Sequence, residues 1–263
     1  MADGMSFDKY IDNPSGGATV ITNRNMYKDM YKSKFDRVLL RENGKIEWKA
    51  YYANDNEDSF YIYMKIPSEV ISKFYYDVVV RLYTTENKKK SNANLREHAV
   101  EFYSNDPAFV YTFAHAFSKN NLFIKDLEPK MSKTALKDVA KVKNPKDNIW
   151  YVKSLYFAYL TMEKYHLFNR NILNQNGKKY NKKELLSIIS NAADKIRARQ
   201  EAQQKLDNEK TKAKKVTTQN TNVQSKHTKT SNIVKTSIVS KTSRITNRVK
   251  TTKLTSMKKP GSS

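Results

Sequence analysis

Residues 60–66 read Phe-Tyr-Ile-Tyr-Met-Lys-Ile, an alternation of large apolar side chains with tyrosine and lysine. Successive side chains of a β-strand point to opposite faces, so this stretch predicts a strand with one buried face. The buried face would consist of Phe60, Ile62, Met64 and Ile66. The opposite face carries a tyrosine stripe, Tyr61 and Tyr63. Pro67 predicts the end of the strand because proline has no amide hydrogen to donate.

Further strand signals lie on both sides of this stretch. Arg37–Arg41 predicts a strand, and Asn43-Gly44 predicts a two-residue hairpin turn because both residues tolerate positive φ. Residues 45–52 alternate again and predict the returning strand. Downstream, the Val-Val-Val run within 77–84 predicts a strand that is buried on both faces, and 98–103 predicts a fifth strand.

Helical signals follow. Ser68–Phe74 predicts a short helix, and Asp106-Pro107 predicts the start of a longer one because a carboxylate caps the first turn and proline fits inside it. The apolar residues after Pro107 recur at the spacing of a buried helical face. Helices are also predicted over 132–139 and 148–167, and a last one from a capping residue at Asn181 to about Leu206.

These elements predict an α+β fold: a mostly antiparallel sheet of four to five strands packed with two or three helices, plus a disordered basic C-terminal tail. The predicted organisation is a flexible N-terminal arm over 1–25 and a folded domain over 26–180. A helix over 181–206 is partly packed and then projects, and residues 207–263 form the tail. We expect Trp48 and Phe113 to be buried in the core.

The distribution of aromatic residues sets the end of the folded part. All 17 Tyr, 11 Phe and 2 Trp residues lie at or before Tyr180. A segment without large apolar side chains cannot bury enough surface to offset the entropy of ordering its backbone. The domain is therefore expected to end soon after Tyr180, apart from the last helix.

Charge is concentrated at the opposite end of the chain. The formal net charge is +23, and Lys210–Ser263 contains 14 Lys and Arg residues but no Asp or Glu. Such an acid-free basic segment predicts a polyanionic partner, most commonly nucleic acid; the alternative is a solvated tail that only keeps the protein soluble. The candidate nucleic-acid-binding residues are Lys210, Lys212, Lys214, Lys215, Lys226, Lys229, Lys235, Lys241, Arg244, Arg248, Lys250, Lys253, Lys258 and Lys259.

The basic segment also contains a near-repeat of six residues. Lys-Thr-Ser occurs at 229–231, 235–237 and 241–243, each copy followed closely by Ile or Val. Because Thr, Ile and Val favour extended backbone, these units could instead form an arm that pairs with the sheet of a neighbouring subunit. Slippage in a low-complexity tract would give the same pattern.

No constellation in the sequence predicts catalysis. The chain has no cysteine, which excludes disulfides and thiolate chemistry. Its four histidines are far apart, and His115 falls among core aromatics, which indicates a structural role. Residues 54–58, Asn-Asp-Asn-Glu-Asp, lack the glycine and the distal glutamate of a calcium loop, so they indicate a solvated turn. The stripe of Tyr61 and Tyr63 could stack nucleic-acid bases, but a second buried face or a subunit interface is the favoured interpretation.

The sequence contains no pattern typical of a membrane span or a signal peptide. No run of apolar residues approaches the length of a membrane span, and residues 1–25 lack the apolar stretch of a signal peptide. We therefore expect synthesis in a cytoplasm and no membrane partner.

Three segments resemble structural proteins of tailed bacteriophages: Phe102–Ala114, Lys143–Pro145 and Lys153–Leu160. The resemblance covers roughly residues 20–168 and rests on aromatic packing segments, so it carries no active-site residues. It implies a virion component at the head–tail connector or neck, or on the capsid interior.

Together these observations lead to a hypothesis about function. We expect a non-enzymatic virion protein without cofactor or metal that forms homo-oligomers, contacts other virion proteins and contacts DNA or neighbouring subunits through its basic tail. The alternative is a free nucleic-acid-binding protein that acts in the infected host cell.

Overall fold

The structure is a computed structural model that describes residues 5–12, 21–53, 59–84 and 94–224, with backbone alone for 21–27 and 213–224. The chain divides into two compact units, residues 1–214 and residues 215–263. The first unit contains the sheet and the packed helices. The described part of the second unit, residues 215–224, is helical.

A five-stranded sheet forms the centre of the first unit. Its strands are β1 (Trp48–Ala53), β2 (Ser59–Pro67), β3 (Tyr75–Tyr83), β4 (Ala99–Ser104) and β5 (Lys178–Lys179). They are arranged in the order β4-β3-β2-β1-β5. All neighbouring strands are antiparallel except β5, which is parallel to β1. The prediction of an α+β fold with a mostly antiparallel sheet is therefore confirmed.

Eight α-helices surround the sheet within the described residues. They are α1 (Phe7–Asp12), α2 (Ile21–Arg41), α3 (Ala114–Lys119), α4 (Lys133–Lys137), α5 (Lys153–Lys164), α6 (Arg170–Asn176), α7 (Lys182–Ile188) and α8 (Ala192–Gln224). A π-helical turn over Phe109–Phe113 precedes α3, and a 3-10 helix over Lys125–Lys130 follows it. The predicted caps are confirmed: the Asp106 carboxylate accepts the amide of Ala108 at 3.0 Å, and the Asn181 side chain accepts the amide of Lys183 at 3.0 Å.

Strand β2 is buried on both faces. Its apolar face packs toward α5, which contacts β2, β3 and β4. On that side the hydroxyls of Ser104 and Ser154 lie 3.1 Å apart. The tyrosine face is covered as well, since Tyr61 is 3% exposed and Tyr63 is 1% exposed. Two covered faces explain why nearly every side chain of this central strand is buried.

The predicted hairpin around Asn43-Gly44 is wrong, because residues 37–41 belong to helix α2. Asn43 and Gly44 do adopt positive φ, 54° and 74°. The amide of Gly44 donates to the carbonyl of Leu39 at 2.8 Å, and the amide of Asn43 donates to the carbonyl of Leu40 at 3.1 Å. This pair of bonds closes the C-terminus of a helix, so the dipeptide turns the chain out of α2 and not between two strands.

Part of the stretch predicted as a flexible arm, residues 1–25, is helical: Phe7–Asp12 form α1, and α2 begins at Ile21. Phe7 and Tyr10 of α1 are fully buried. The ring of Phe7 lies 4.9 Å from that of Phe102, and the ring of Tyr10 lies 5.8 Å from that of Phe117. Two aromatic anchors in six residues are sufficient to hold so short a helix against the domain. Residues 13–20 lie outside the described part of the chain.

Three smaller predictions also need correction. Residues 69–73 form bends and turns and not a helix. Trp48 is half-buried, because it begins β1 and packs mainly on the ring of Tyr165 at 6.2 Å. Phe113 is half-buried as well. In the π turn the Ala114 amide bonds to the Phe109 carbonyl, so the turn contains one residue more than an α-helical turn. The extra residue rotates Phe113 off the buried face.

Replacing Phe7 by Ala tests the packing of α1. The fully buried ring would leave a cavity, so Phe7→Ala should lower the free energy of unfolding by about 3–5 kcal/mol in urea denaturation. Tyr111→Ala, at a side chain that is 58% exposed, is the control and should change stability by about 0.5 kcal/mol or less. Equal stabilities of the Phe7→Ala variant and the unmodified protein would mean that α1 does not pack in the core.

Candidate nucleic-acid interface

A buried carboxylate lies where the sheet meets the start of the basic C-terminal helix. Asp77, at the beginning of β3, is only 3% exposed. It accepts the Tyr63 hydroxyl at 2.8 Å, the Asn105 side-chain amide at 2.8 Å and the Ser190 backbone amide at 3.0 Å. A buried carboxylate is stable only when its oxygens are paired in this way. The arrangement therefore ties β2, β3 and the segment after β4 to the junction between α7 and α8.

This junction corrects the predicted single helix over 181–206. The helix is interrupted at Ile189–Asn191, where the Ser190 amide bonds to the Asp77 carboxylate and not to a helical carbonyl. Ile189 is 2% exposed and fixes the junction in the core. Helix α8 then starts against the domain through the buried side chains of Ala192 and Ile196.

Two further side chains of α8 reach the sheet, and the ammonium group of Lys195 lies 3.9 Å from the Asp77 carboxylate. Arg199 donates from Nε to the hydroxyl of Tyr76 at 2.8 Å. Beyond Leu206, residues 207–212 are exposed, and the helix is supported by its own side chains. The Thr211 hydroxyl donates to the backbone carbonyl of Asp207 at 2.9 Å, and the Gln203 side-chain amide donates to the carboxylate of Asp207 at 3.0 Å.

Helix α8 continues past Leu206, where the sequence predicted the start of the tail, through residues 207–224. Lys, Ala, Gln and Glu, which have high helix propensity, are frequent up to Lys215 and explain the continuation. Four candidate residues lie on this helix: Lys210 and Lys212 are exposed, and Lys214 and Lys215 follow within one turn. The other ten candidates, from Lys226 to Lys259, lie outside the described residues.

The tyrosine stripe does not form a platform for stacking bases. The ring of Tyr61 stacks on that of Tyr180, with centroids 4.1 Å apart and planes within 10°. The hydroxyl of Tyr180 donates to the Asp126 carboxylate at 2.7 Å, and that of Tyr63 donates to Asp77. The stripe is thus a second buried face, which agrees with the favoured interpretation from sequence. Burial raises the pKa of Tyr61 to about 12.

Other polar clusters of the domain are paired internally. His115 Nδ1 lies 2.8 Å from the Asp147 carboxylate, which agrees with the structural role predicted for this histidine. Arg96 contacts the carboxylates of Asp8 at 3.2 Å and Glu163 at 3.1 Å, and its guanidinium lies 4.5 Å from the ring centre of Phe168. Over the described residues, no group of three or more His, Asp or Glu side chains could hold a metal ion.

Cavities of the first unit lie around these clusters. One of about 690 Å³ is bordered by Asp77, Lys65 and Lys195, and one of about 410 Å³ by Arg96 and His166. A third, of about 570 Å³, is a groove beside Tyr111 and Arg199.

The sequence analysis did not identify Asp77, Asn105 and Ser190 as site residues. One signal could have indicated Asp77: it is an acidic residue directly before a run of buried valines.

Comparison with known proteins gives no relative. No protein-family model, no curated protein and no solved structure matches the chain. Among the helices of the described residues, none is both long enough and apolar enough to span a membrane.

Removal of the Asp77 carboxylate tests its role in fixing α8. Asp77→Ala leaves the Tyr63 hydroxyl, the Asn105 amide and the Ser190 amide without their acceptor, so the free energy of unfolding should fall by about 3 kcal/mol or more. Asp36→Ala, at an exposed position of α2, is the matched control and should change stability by about 0.5 kcal/mol or less. Urea denaturation measures both; similar losses for the two variants would contradict the role of Asp77.

The burial of Tyr61 predicts alkaline sensitivity. Because its pKa rises to about 12 in the folded state, the folded chain holds a proton that the unfolded chain releases above about pH 10. Its contribution to stability is therefore complete below about pH 10 and is lost between about pH 10 and 12. Tyr61→Phe should reduce the pH slope of the unfolding free energy in that window by about 1.4 kcal/mol per pH unit. Identical slopes in urea denaturation of the two proteins would contradict this assignment.

Proposed function

We propose that the chain is a non-enzymatic structural protein of a tailed bacteriophage particle, located at the head–tail connector or neck or on the capsid interior. It self-associates through its folded domain and contacts DNA through the acid-free segment from Lys210 to Ser263. The observation that carries the DNA contact is the exposed continuation of α8, where a helix fixed to the sheet leads directly into this segment. The resemblance of its aromatic segments to phage structural proteins supports the location.

Electrostatics favours DNA as the partner of this segment. Fourteen cations without one carboxylate attract a polyanion over any part of the segment, and phosphate contacts need no fixed side-chain geometry. The Lys, Thr, Ser and Asn residues of the segment present no fixed pattern of hydrogen-bonding groups to base edges. The binding is therefore independent of the DNA sequence. Lys210 and Lys212, the first two cations of the segment in chain order, are exposed on α8 and available for such contacts.

The covered edges of the sheet argue against the alternative of a β-arm on a neighbouring subunit. At β4 the amide of Val100 donates to the carbonyl of Met5 at 2.9 Å, and the amide of Phe102 donates to that of Leu122 at 2.7 Å. At the other edge, β5 has two residues, and both are exposed lysines. Short and charged edges resist the addition of a further strand. The described sheet therefore offers the Lys-Thr-Ser units little edge to pair with.

Truncation after Glu209 tests the DNA contact. The full chain should bind duplex DNA of any sequence, with an affinity that falls by about a thousandfold or more between about 50 and 200 mM salt if about six to ten cations reach phosphates. The truncated chain should lose most of this binding, as measured by fluorescence anisotropy, and keep the thermal melt of the domain.

A matched variant separates charge from β-pairing. Replacing Ile233, Ile238 and Ile245 by Ser keeps all 14 cations and should leave DNA affinity unchanged. A truncated protein that binds DNA as well as the full chain would contradict the proposed contact and direct attention to the lysines at 88–90 and to Lys178 and Lys179.

Mass spectrometry of purified particles tests the location. Stoichiometric presence, in a copy number that is a multiple of 5, 6 or 12, is the expected result for a subunit of a symmetric shell or connector. Absence from the particles would contradict the virion assignment and favour a free nucleic-acid-binding protein in the host cell.

A further inference from the structure

The cavity beside the junction between α7 and α8 gathers lysines from separate parts of the chain. It has a volume of about 690 Å³ and is bordered by Lys45 before β1, Lys65 on β2, Lys73 in the bend after β2 and Lys195 on α8. A cavity of this volume can enclose a small organic ligand. Ammonium groups that converge on one cavity from four parts of the fold indicate an anionic ligand.

The carboxylates of the cavity already have partners of their own. Glu47 pairs with Lys65 at 2.8 Å. Glu42 pairs with Arg41 at 3.3 Å. Asp77 accepts hydrogen bonds from three donors of the domain. These carboxylates therefore leave the other lysines of the cavity largely unneutralised.

Three ammonium groups of the cavity have room for a further partner. Lys45 and Lys73 are exposed, and among the described residues neither makes an ion pair. The ammonium group of Lys195 lies 3.9 Å from the Asp77 carboxylate, beyond hydrogen-bond distance, and 5.6 Å from the ring centre of Phe74. Its side chain is only 18% exposed, and within the described part of the chain it donates no hydrogen bond. A bound anion would supply the acceptors that this mostly buried ammonium group needs.

Backbone hydrogen bonds hold two of these lysines in place. The amide of Lys45 donates to the carbonyl of Glu42 at 3.1 Å. The bend that carries Lys73 is closed by the amide of Ser68, which donates to the carbonyl of Phe74 at 2.7 Å. Lys73 itself has a φ of 57°, in the left-handed region that glycine tolerates better than lysine does. Walls that are fixed in advance reduce the entropy lost when a ligand binds.

The unbalanced charge matches that of a phosphate monoester. The Asp77 carboxylate offsets the charge of Lys195, which leaves Lys45 and Lys73 as two unbalanced cations. A phosphate monoester carries nearly two negative charges at pH 7 and has three oxygens that accept strong hydrogen bonds. A single carboxylate would neutralise only one of the two lysines.

Apolar surface in the cavity favours an organic ligand over inorganic phosphate. Phe74 and Ile188 border the cavity and are half-buried, so part of each side chain is open to a ligand. Small-molecule sites combine such apolar surface with a few charged groups. Duplex DNA fits the cavity less well, because its many phosphates would also approach the carboxylates of Glu42 and Glu47.

We propose that this cavity binds a small phosphate monoester with an apolar or aromatic body. Lys45, Lys73 and Lys195 contact the phosphate group, and Phe74 and Ile188 contact the body. The site goes beyond the proposed function, since it lies apart from the acid-free segment that contacts DNA. Neither proposal depends on the other.

Substitution of the two unbalanced lysines tests the site. In isothermal titration calorimetry at about 150 mM salt, which screens attraction to other exposed lysines, the full-length chain should bind adenosine 5′-monophosphate more tightly than inorganic phosphate. Adenosine without phosphate should not bind detectably. Lys45→Gln and Lys73→Gly should each weaken nucleotide binding about tenfold or more, because each removes a charged hydrogen-bond donor. Since glycine suits a φ of 57°, Lys73→Gly should not lower the melting temperature, so unfolding cannot explain its loss of binding.

A matched control and a second ligand keep the outcomes separate. Lys133→Gln removes the charge of an exposed lysine of α4 that does not border the cavity, and it should leave nucleotide affinity unchanged. No nucleotide binding by the unmodified chain, or equal affinity in the control, Lys45→Gln and Lys73→Gly, would overturn the inference. Inorganic phosphate that binds as tightly as the nucleotide would overturn the assignment of an organic ligand.

Duplex DNA distinguishes this site from the proposed DNA contact. Lys45→Gln and Lys73→Gly should leave the DNA affinity of the full-length chain unchanged. A loss of DNA affinity as large as the loss of nucleotide affinity would assign the cavity to nucleic acid and overturn the inference. Loss of DNA binding on truncation after Glu209 is measured separately and tests the proposed function alone.

Discussion

The carboxylate of Asp77 is the interaction on which the arrangement of the described domain depends. It lies 3% exposed at the beginning of β3 and accepts hydrogen bonds from three different segments. Separating these segments would leave the Asp77 carboxylate buried without partners, which is costly. The three hydrogen bonds therefore hold the segments together. The Ser190 amide, which would otherwise continue α7, bonds to it and ends that helix. The direction in which α8 leaves the sheet is therefore set by a side chain of the sheet itself.

The covering of both sheet faces determines where function can lie. α5 covers one face. On the other face the ring of Tyr180 stacks on Tyr61, and the Ser190 amide of the junction between α7 and α8 bonds to Asp77. Tyrosine hydroxyls that could meet a ligand bond instead to carboxylates of the domain. Among the described residues, exposed cations lie at the periphery of the domain, such as Lys210 and Lys212 on α8.

Sequence patterns predicted the elements whose signals are local. The alternation in 60–66, the capping residues Asp106 and Asn181 and the valine run in β3 correspond to observed elements because backbone hydrogen bonding and side-chain period decide them within a few residues. Asn43-Gly44 shows the limit of such signals: positive φ was predicted, but the same geometry closes a helix as well as a hairpin. Helix α1 was missed because its stability comes from Phe102 and Phe117, about a hundred residues away. Within the candidate site, the sequence alone identified the four cations on α8. It did not reveal the Asp77 contacts at the start of the helix, because these contacts join distant segments and leave no local pattern.

We propose that DNA contacts the acid-free segment and not the folded domain. Photochemical cross-linking of duplex DNA to the full chain, followed by mass spectrometry of the cross-linked peptides, tests it most directly. The account predicts that the cross-linked peptides lie beyond Glu209 and include the exposed helical turn that carries Lys210 and Lys212. Cross-links concentrated on the domain, at Lys178 and Lys179 or in the lysine-rich stretch over 130–146, with none beyond Glu209, would contradict it.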